Sequence, residues 1–340
     1  MGKLEGSRDQ SITILESVVG PGRTVKYIDQ VVRHAPGNVD FIYFSWVRAF
    51  FRRYDVFHVH WPEFLLRDKA KVRGVMKQAL FSILLSVLRL RGVPIVRTVH
   101  NLDPHGRLSA SQQRLLSRLD GETALFVKLN RCTAVPAGAK SVVIPHGDYR
   151  EQFRKLPSVE TEPGRWLSIG RLEPYKGVDR LIEAVKVAGR TGESLRIVGS
   201  ASQAMQQSLL ASLRGWSRED VEVSTLFEFV SDADMASEIG RAECVVLPYT
   251  EMLNSGIALV ALSLNTPIVV PQGCVNDELA AECGPGWVIR YEGEFTPATL
   301  DEMREQLRGP RSDSPNLRGR DWPSVARSYA DAFKQVAQIE

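Results

Sequence analysis

The sequence predicts an α/β protein made of two successive Rossmann-like domains, each built on a parallel sheet. Three observations predict it. Short apolar runs of strand length alternate with helical patterns along the chain, as parallel strands joined by crossover helices require. The length of 340 residues suits two domains of ordinary size. A polar, turn-rich stretch at 156–164 breaks the alternation near the middle and reads as a linker. With 44% hydrophobic and 24% charged residues the chain is globular, which excludes disordered and collagen-like classes.

In the first half, strands are expected at 12–15, 39–44, 56–59, 95–98 and 141–145, each rich in Val, Ile or Phe. The first runs into Gly20-Pro21-Gly22 and a helix over 25–33. The second half restarts with a strand at 166–170 and a helix over 178–188. Strands at 195–199, 221–223, 244–248 and 267–270 follow, with an apolar helix at 257–264 before the last. Asp321-Trp322-Pro323-Ser324 reads as the capped start of a final helix reaching residue 336, with Pro in its first turn. The expected domains are 1–155 and 165–320. Ligands of such sheets gather at the carboxyl ends of the strands, so the expected site is a cleft between the domains.

Charge is distributed unevenly. Residues 1–155 carry 25 Lys and Arg against 13 Asp and Glu, while the remainder carries 18 against 27. Arg67, Lys69, Lys71, Arg73 and Lys77 precede an apolar run at 79–88, and Arg89 and Arg91 follow it. That run is about half the ~20 residues needed to span a bilayer. It reads either as a buried helix with solvated ends or as a basic helix on an anionic membrane surface. Nucleic acid is not expected as a partner, because the basic stretch lacks interleaved aromatics. The four cysteines form no C-x-x-C pair and read as buried thiols. No apolar stretch follows the first charges, so the expected location is cytoplasmic.

Three clusters carry candidate chemistry. Gly170-Arg171-Leu172-Glu173-Pro174-Tyr175-Lys176-Gly177 joins a strand to a helix. Free N–H groups at a helix start, flanked by Arg171 and Lys176, suit a diphosphate leaving group. In the second, Tyr249-Thr250-Glu251-Met252-Leu253-Asn254-Ser255-Gly256, Asn254 and Ser255 read as a helix cap and Gly256 lets a ligand approach the backbone. The third comprises His58-Val59-His60-Trp61-Pro62-Glu63 and His100-Asn101-Leu102-Asp103-Pro104-His105, both at carboxyl ends of strands. A metal needs three or four convergent ligands, and beyond the His58-x-His60 pair no ligand spacing appears, so no metal is expected. Asp232-Ala233-Asp234 reads as acids in the first turn of a helix capped by Ser231 rather than as a metal-binding pair.

With these residues in view, the second half resembles the donor domain of GT-B glycosyltransferases in G-R-L-x-x-x-K-G, L-R-I-V-G and the 247–267 segment. The motifs at 54–63, 96–102, 146–150, 174–177, 254–256 and 284–287 resemble the xanthan-type GDP-mannose:glycolipid β-1,4-mannosyltransferase family. The resemblance implies an acceptor-binding domain at 1–155, completed by a helix at 321–340 with Trp322 as a packing anchor, and a donor-binding domain at 165–320. It implies GDP-mannose as donor, a saccharide on a polyprenyl-diphosphate carrier as acceptor, and peripheral attachment to the inner membrane face; from the residues themselves no cofactor is expected. The E-x7-E pair of many retaining relatives is absent: its second position falls on Val260, and inversion is implied instead. The residues expected to take part are Glu63, His100 and His105 as candidate bases, with Glu63 first. Arg171, Lys176, Tyr249, Glu251, Asn254, Ser255 and Gly256 are expected on the donor side, and Gly20, Gly22, His60, Trp61 and Asn101 along the cleft. A retaining transferase of a UDP-sugar and a non-catalytic nucleotide-sugar-binding partner are the alternatives.

Overall fold

The structure is a computed structural model that describes residues 11–20, 26–100, 108–157, 159–214, 216, 219–250 and 252–339. The chain divides into two compact units, Met1–Gly147 with Gly319–Glu340, and Asp148–Arg318. The first contains β1 (Ile12–Glu16), α1 (Lys26–Arg33), β2 (Val39–Tyr43), α2 (Trp46–Phe51), β3 (Val56–Val59), α3 (Glu63–Leu66), α4 (Lys71–Arg91), β4 (Ile95–Val99), α5 (Ala110–Glu122), β5 (Thr123–Lys128) and β6 (Ser141–Val143). The second contains α6 (Arg150–Phe153), β7 (Glu162–Ile169), α7 (Val178–Ala188), β8 (Ser194–Val198), α8 (Gln203–Ser212), β9 (Glu222–Leu226), α9 (Asp232–Arg241), β10 (Ala242–Val246), α10 (Gly256–Ser263), β11 (Ile268–Pro271), α11 (Cys274–Cys283), β12 (Val288–Tyr291) and α12 (Pro297–Leu307). The last helix, α13 (Trp322–Ala337), returns to the first unit.

Each unit carries a six-stranded sheet, ordered β2-β1-β3-β4-β5-β6 in the first and β12-β11-β10-β7-β8-β9 in the second. Every recorded strand pair is parallel. The strand order reverses between β1 and β3 in one sheet and between β7 and β10 in the other. Crevices at the carboxyl ends of such switch points are where open α/β sheets take ligands.

Local sequence accounts for the packing. All four residues of β3 are buried, as a central parallel strand demands. Helix α4 buries Phe81, Leu84, Leu85 and Leu88, at helical spacing, in a cluster with Leu116 and Leu119 of α5. It ends at Gly92, whose left-handed backbone turns the chain into β4. Helix α10 is apolar and buried from Ala258 to Ser263, Val260 included. Trp322 is buried in α13, and a Cβ on Gly147 would meet its ring at 2.5 Å, so this close approach needs glycine.

The structure corrects the sequence reading in several places. The unit boundary falls at Gly147/Asp148, not near 155–165. The stretch read as a linker and residues 148–155 before it both belong to the second unit: Phe153 is buried in its core, Leu156 packs there, and the Tyr149 amide donates to Ser263 Oγ at 2.9 Å. Apolar burial outweighs polar composition, and β7 begins at Glu162, inside the expected linker. Strands β5 and β12 were not expected. Cys244 and Cys283 are buried thiols, but Cys132 and Cys274 are not free thiols, which corrects the reading of all four. Gly22, Asn101, His105 and Glu251 lie outside the described residues.

Candidate active site

In the second unit the loops after β7, β8 and β10 pack backbone against backbone. Gly199, at φ +143°, leaves no room for a side chain against the Gly170 carbonyl, and Gly177, at φ +60°, leaves none against the Pro248 carbonyl. Between Gly170 and Gly177 a single 3-10 turn, Pro174–Lys176, is tied to the β10 loop: Thr250 donates its amide and its hydroxyl to the Tyr175 carbonyl, at 2.9 and 3.2 Å.

This packing sets Lys176 in an unusual place. Its side chain is buried, and its ammonium lies 5.1 Å from the centre of the Tyr249 ring. A Cβ on Gly170 would stand 3.4 Å from that ammonium and 3.2 Å from Ile257 of the first turn of α10. Burial, reinforced by Arg171 and opposed by Glu173, pulls its pKa from 10.5 to about 8. Among the described residues no hydrogen-bond acceptor closes on this ammonium. Arg171 differs: it is 79% exposed and pairs with Glu173 at 2.7 Å.

Tyr249 is buried, and Ser255 caps α10 by accepting the Ala258 amide at 3.3 Å. A Cβ on Gly256 would come within 3.5 Å of the Tyr149 hydroxyl. Lys176, Tyr249, Ser255 and Gly256 are thus gathered at the β7/β10 switch point, with Arg171 at the rim and Asn254 beside the cap. A buried cation next to an open helix start is a receptor for an anion. A cavity of about 750 Å³ in this unit lies elsewhere; it is lined by Thr161, Gly240 and Thr266, at the amino edge of the sheet. Ser231 caps α9 by accepting the Asp234 amide at 3.2 Å, and Asp232 accepts from Gln152 at 2.8 Å.

The first unit gathers a buried polar network at its own switch point. Glu16 ends β1 and pairs in register with His58 of β3. The His58-x-His60 spacing puts both rings on one face. Glu16 Oε1 accepts from His58 Nδ1 at 2.9 Å, and Glu16 Oε2 faces His60 Nε2 at 3.3 Å. His58 Nε2 meets the Thr98 hydroxyl at 2.8 Å, which continues to Tyr329 at 3.0 Å and Tyr27 at 2.8 Å. His60 Nδ1 lies 2.7 Å from His100 Nε2, and Trp61 stacks on His100 with centroids 4.0 Å apart. Trp61 holds φ +39°, a left-handed strain carried at the candidate site. Ser17 locks the edge, accepting the His60 amide at 2.7 Å and donating to its carbonyl at 3.1 Å.

Burial would raise the Glu16 carboxyl, but His58 and His60 prevail and hold it near 2. Burial, with His58, pulls His60 to about 4, against the pull of Glu16. Burial and the neighbouring rings of His60, His146 and His58 push His100 well below its usual value. Glu16, His58 and His60 are the described residues whose ligand atoms lie close enough to hold a metal, all within 4.8 Å of one another. As they stand, both His58 nitrogens are already engaged, which fits a hydrogen-bonded network better than a coordination site.

Glu63 is placed differently from the histidines. It is buried in the first turn of α3 and interacts electrostatically with Arg97, whose guanidinium also pairs with Asp120. Among the described residues it shares no hydrogen bond with His60 or His100. Gly20 is partly buried beside the Tyr43 ring, after β1. Sequence reasoning missed Glu16, Thr98, Tyr27 and Tyr329; the one available signal was an acid closing the apolar strand Ile12–Glu16.

Two parallel-sheet units, each with its polar site at a switch point, make up the GT-B fold. A sucrose-phosphate synthase from Thermosynechococcus elongatus shares this fold with a TM-score of 0.66 at 15% identity, over 97% of this chain and all of that one (100%). A UDP-forming α,α-trehalose-phosphate synthase from Burkholderia xenovorans does so with a TM-score of 0.62 at 14% identity, over 96% and 100%. Residues 148–293 match the family model for glycosyl transferases group 1. Over 328 residues the chain is 38% identical to a GDP-mannose:glycolipid 4-beta-D-mannosyltransferase of Xanthomonas campestris pv. campestris, spanning 95% of this chain and 93% of that protein. The chain belongs to that mannosyltransferase family.

Proposed function

We propose that this protein transfers mannose from GDP-mannose to a saccharide on a polyprenyl-diphosphate carrier, inverting the donor anomer to a β-linkage. One observation carries the reading: Lys176, a buried ammonium with no acceptor of its own among the described residues, beside the first turn of α10. A departing diphosphate supplies the missing acceptor and draws on the helix start as its charge develops. The kinship with a GDP-mannose-using relative supports mannose over other sugars.

An acceptor hydroxyl gives its proton to a base as its oxygen bonds to C1 and the C1–O bond to the diphosphate breaks. The network around His100 favours that ring as the base over Glu63, which Arg97 engages instead. No metal enters this scheme: Lys176, Arg171 and the α10 start supply the positive charge. A transfer rate unchanged in EDTA is expected, and a large Mg²⁺-reversible loss contradicts that part.

Attachment to an anionic membrane surface is part of the same proposal. No described helix is long and apolar enough to cross a membrane. Instead Val72, Val75 and Met76 form an exposed stripe at i, i+3 and i+4 of α4, flanked in sequence by Lys69, Lys71 and Arg73. Arg73 and Lys77 pair with Asp68, so part of the charge is neutralised locally. Sedimentation with phosphatidylglycerol vesicles but not phosphatidylcholine vesicles is expected. The activity itself is tested by incubating the protein with labelled GDP-mannose and a polyprenyl-diphosphate saccharide. A β-mannosyl product by NMR is expected; an α-anomer, or preferred use of a UDP-sugar, overturns the reading.

A further inference from the structure

We propose that Glu16 is a positioning residue that sets the proton placement of His100 by acting through His60. The inference rests on the proposed function only for what His100 then does. The proton placement itself follows from the network.

Glu16 is fully buried, so both carboxylate oxygens must be satisfied from within the protein. Oε1 accepts from His58 Nδ1 at 2.9 Å. Oε2 has no well-directed hydrogen bond, and the donor that reaches it is His60 Nε2 at 3.3 Å. His60 Nε2 also stands 3.2 Å from His58 Nδ1, which offers a competing arrangement. If His60 Nε2 were unprotonated it would accept from His58 and leave a buried carboxylate oxygen orphaned. That is the costlier choice, because an unsatisfied charged group bears its full desolvation penalty. A proton on His60 Nε2 serves the carboxylate.

The consequence passes along the ring. With its proton on Nε2, His60 presents a bare Nδ1, and His100 Nε2 lies 2.7 Å away. That contact is a hydrogen bond only if His100 carries its proton on Nε2. His100 Nδ1 is then the basic nitrogen, which is the state a proton acceptor needs. Trp61, stacked on His100 at 4.0 Å, fixes the plane of the ring. His58 has a separate outlet through Thr98, Tyr329 and Tyr27, so it anchors the carboxylate without competing for His100.

The test is Glu16→Gln on the full chain labelled with [15N]histidine. An amide offers one acceptor and one donor where the carboxylate offered two acceptors. Its NH₂ group facing His60 forces the proton to His60 Nδ1 and inverts both rings. Two-bond 1H–15N spectra are expected to show Nε2-protonated His60 and His100 in the wild type and Nδ1-protonated rings in the variant. The variant kcat is expected to drop ~10²–10⁴-fold, the range of a lost general base, with the KM for GDP-mannose within about threefold. Wild-type His60 protonated on Nδ1 overturns the proposal even if the variant fails to fold. Inverted rings with an unchanged kcat overturn the link to transfer. If the wild type shows no transfer at all, the functional reading fails while the spectra still decide the proton placement.

Discussion

Lys176→Met separates a functional cation from a structural one, because the two roles predict opposite changes in stability. Burial lowers the Lys176 pKa from 10.5 to about 8, and at ~1.4 kcal/mol for each pKa unit the folded protein bears up to ~3 kcal/mol for keeping the ammonium charged. Solvent screening at a loop edge and the loss of the contact with Tyr249 reduce the recoverable part to roughly 1–2 kcal/mol. Removing the charge in a side chain of similar length should therefore stabilise the protein at pH 7, with Tm rising ~2–8 °C. The sign carries a pH signature. Between pH 8 and 10.5 the unfolded chain holds a proton that the folded chain has released, so wild-type stability gains with rising pH across that window and the variant loses that gain. Meanwhile GDP affinity should fall ~10–100-fold, the worth of one charge-assisted bond. Differential scanning fluorimetry from pH 7 to 10 and calorimetric titration with GDP measure both. A variant with lower Tm and unchanged GDP affinity refutes the reasoning.

Three further outcomes follow from the geometry. Gly199→Ala should destabilise the second unit by more than ~3 kcal/mol, seen as a large loss of Tm or insolubility, because the added Cβ collides with the Gly170 carbonyl at a left-handed φ. The first unit should weaken in acid: His60, held near 4 against 6.5 when unfolded, loses up to ~3 kcal/mol of stability as pH falls from 6.5 to 4, and Glu16 adds to the loss as pH falls from 4.5 towards 2. Urea unfolding at each pH measures the decline, and a flat profile contradicts the buried network. His100→Ala should lower kcat more than Glu63→Gln does; the reverse order in steady-state transfer assays returns the base to Glu63.

Much of the fold was legible because its strands are apolar runs separated by glycine and proline. Strand β5 was not, because the one glycine near its start, Gly121, lies inside the last turn of α5, which passes directly into the strand at Glu122–Thr123. The boundary near 156–164 misled because composition registers polarity but not that Leu156, and Phe153 just before it, pack into the core of the second unit. On the donor side, Gly170, Lys176, Ser255 and Gly256 were legible as a glycine-flanked turn and a capped helix, since those features are local. Strand order is not local. It alone brings Glu16 of β1 beside His58 and His60, so an acid that reads as a strand end becomes the anchor of the histidine network. Glu63 drew attention through its Trp61-Pro62 neighbours, whereas tertiary packing gives it Arg97.

A crystal structure of the protein with GDP bound tests the central claim most directly. The account predicts a β-phosphate oxygen within hydrogen-bond reach of Lys176 Nζ and the first turn of α10. A nucleotide whose phosphates settle anywhere else contradicts it.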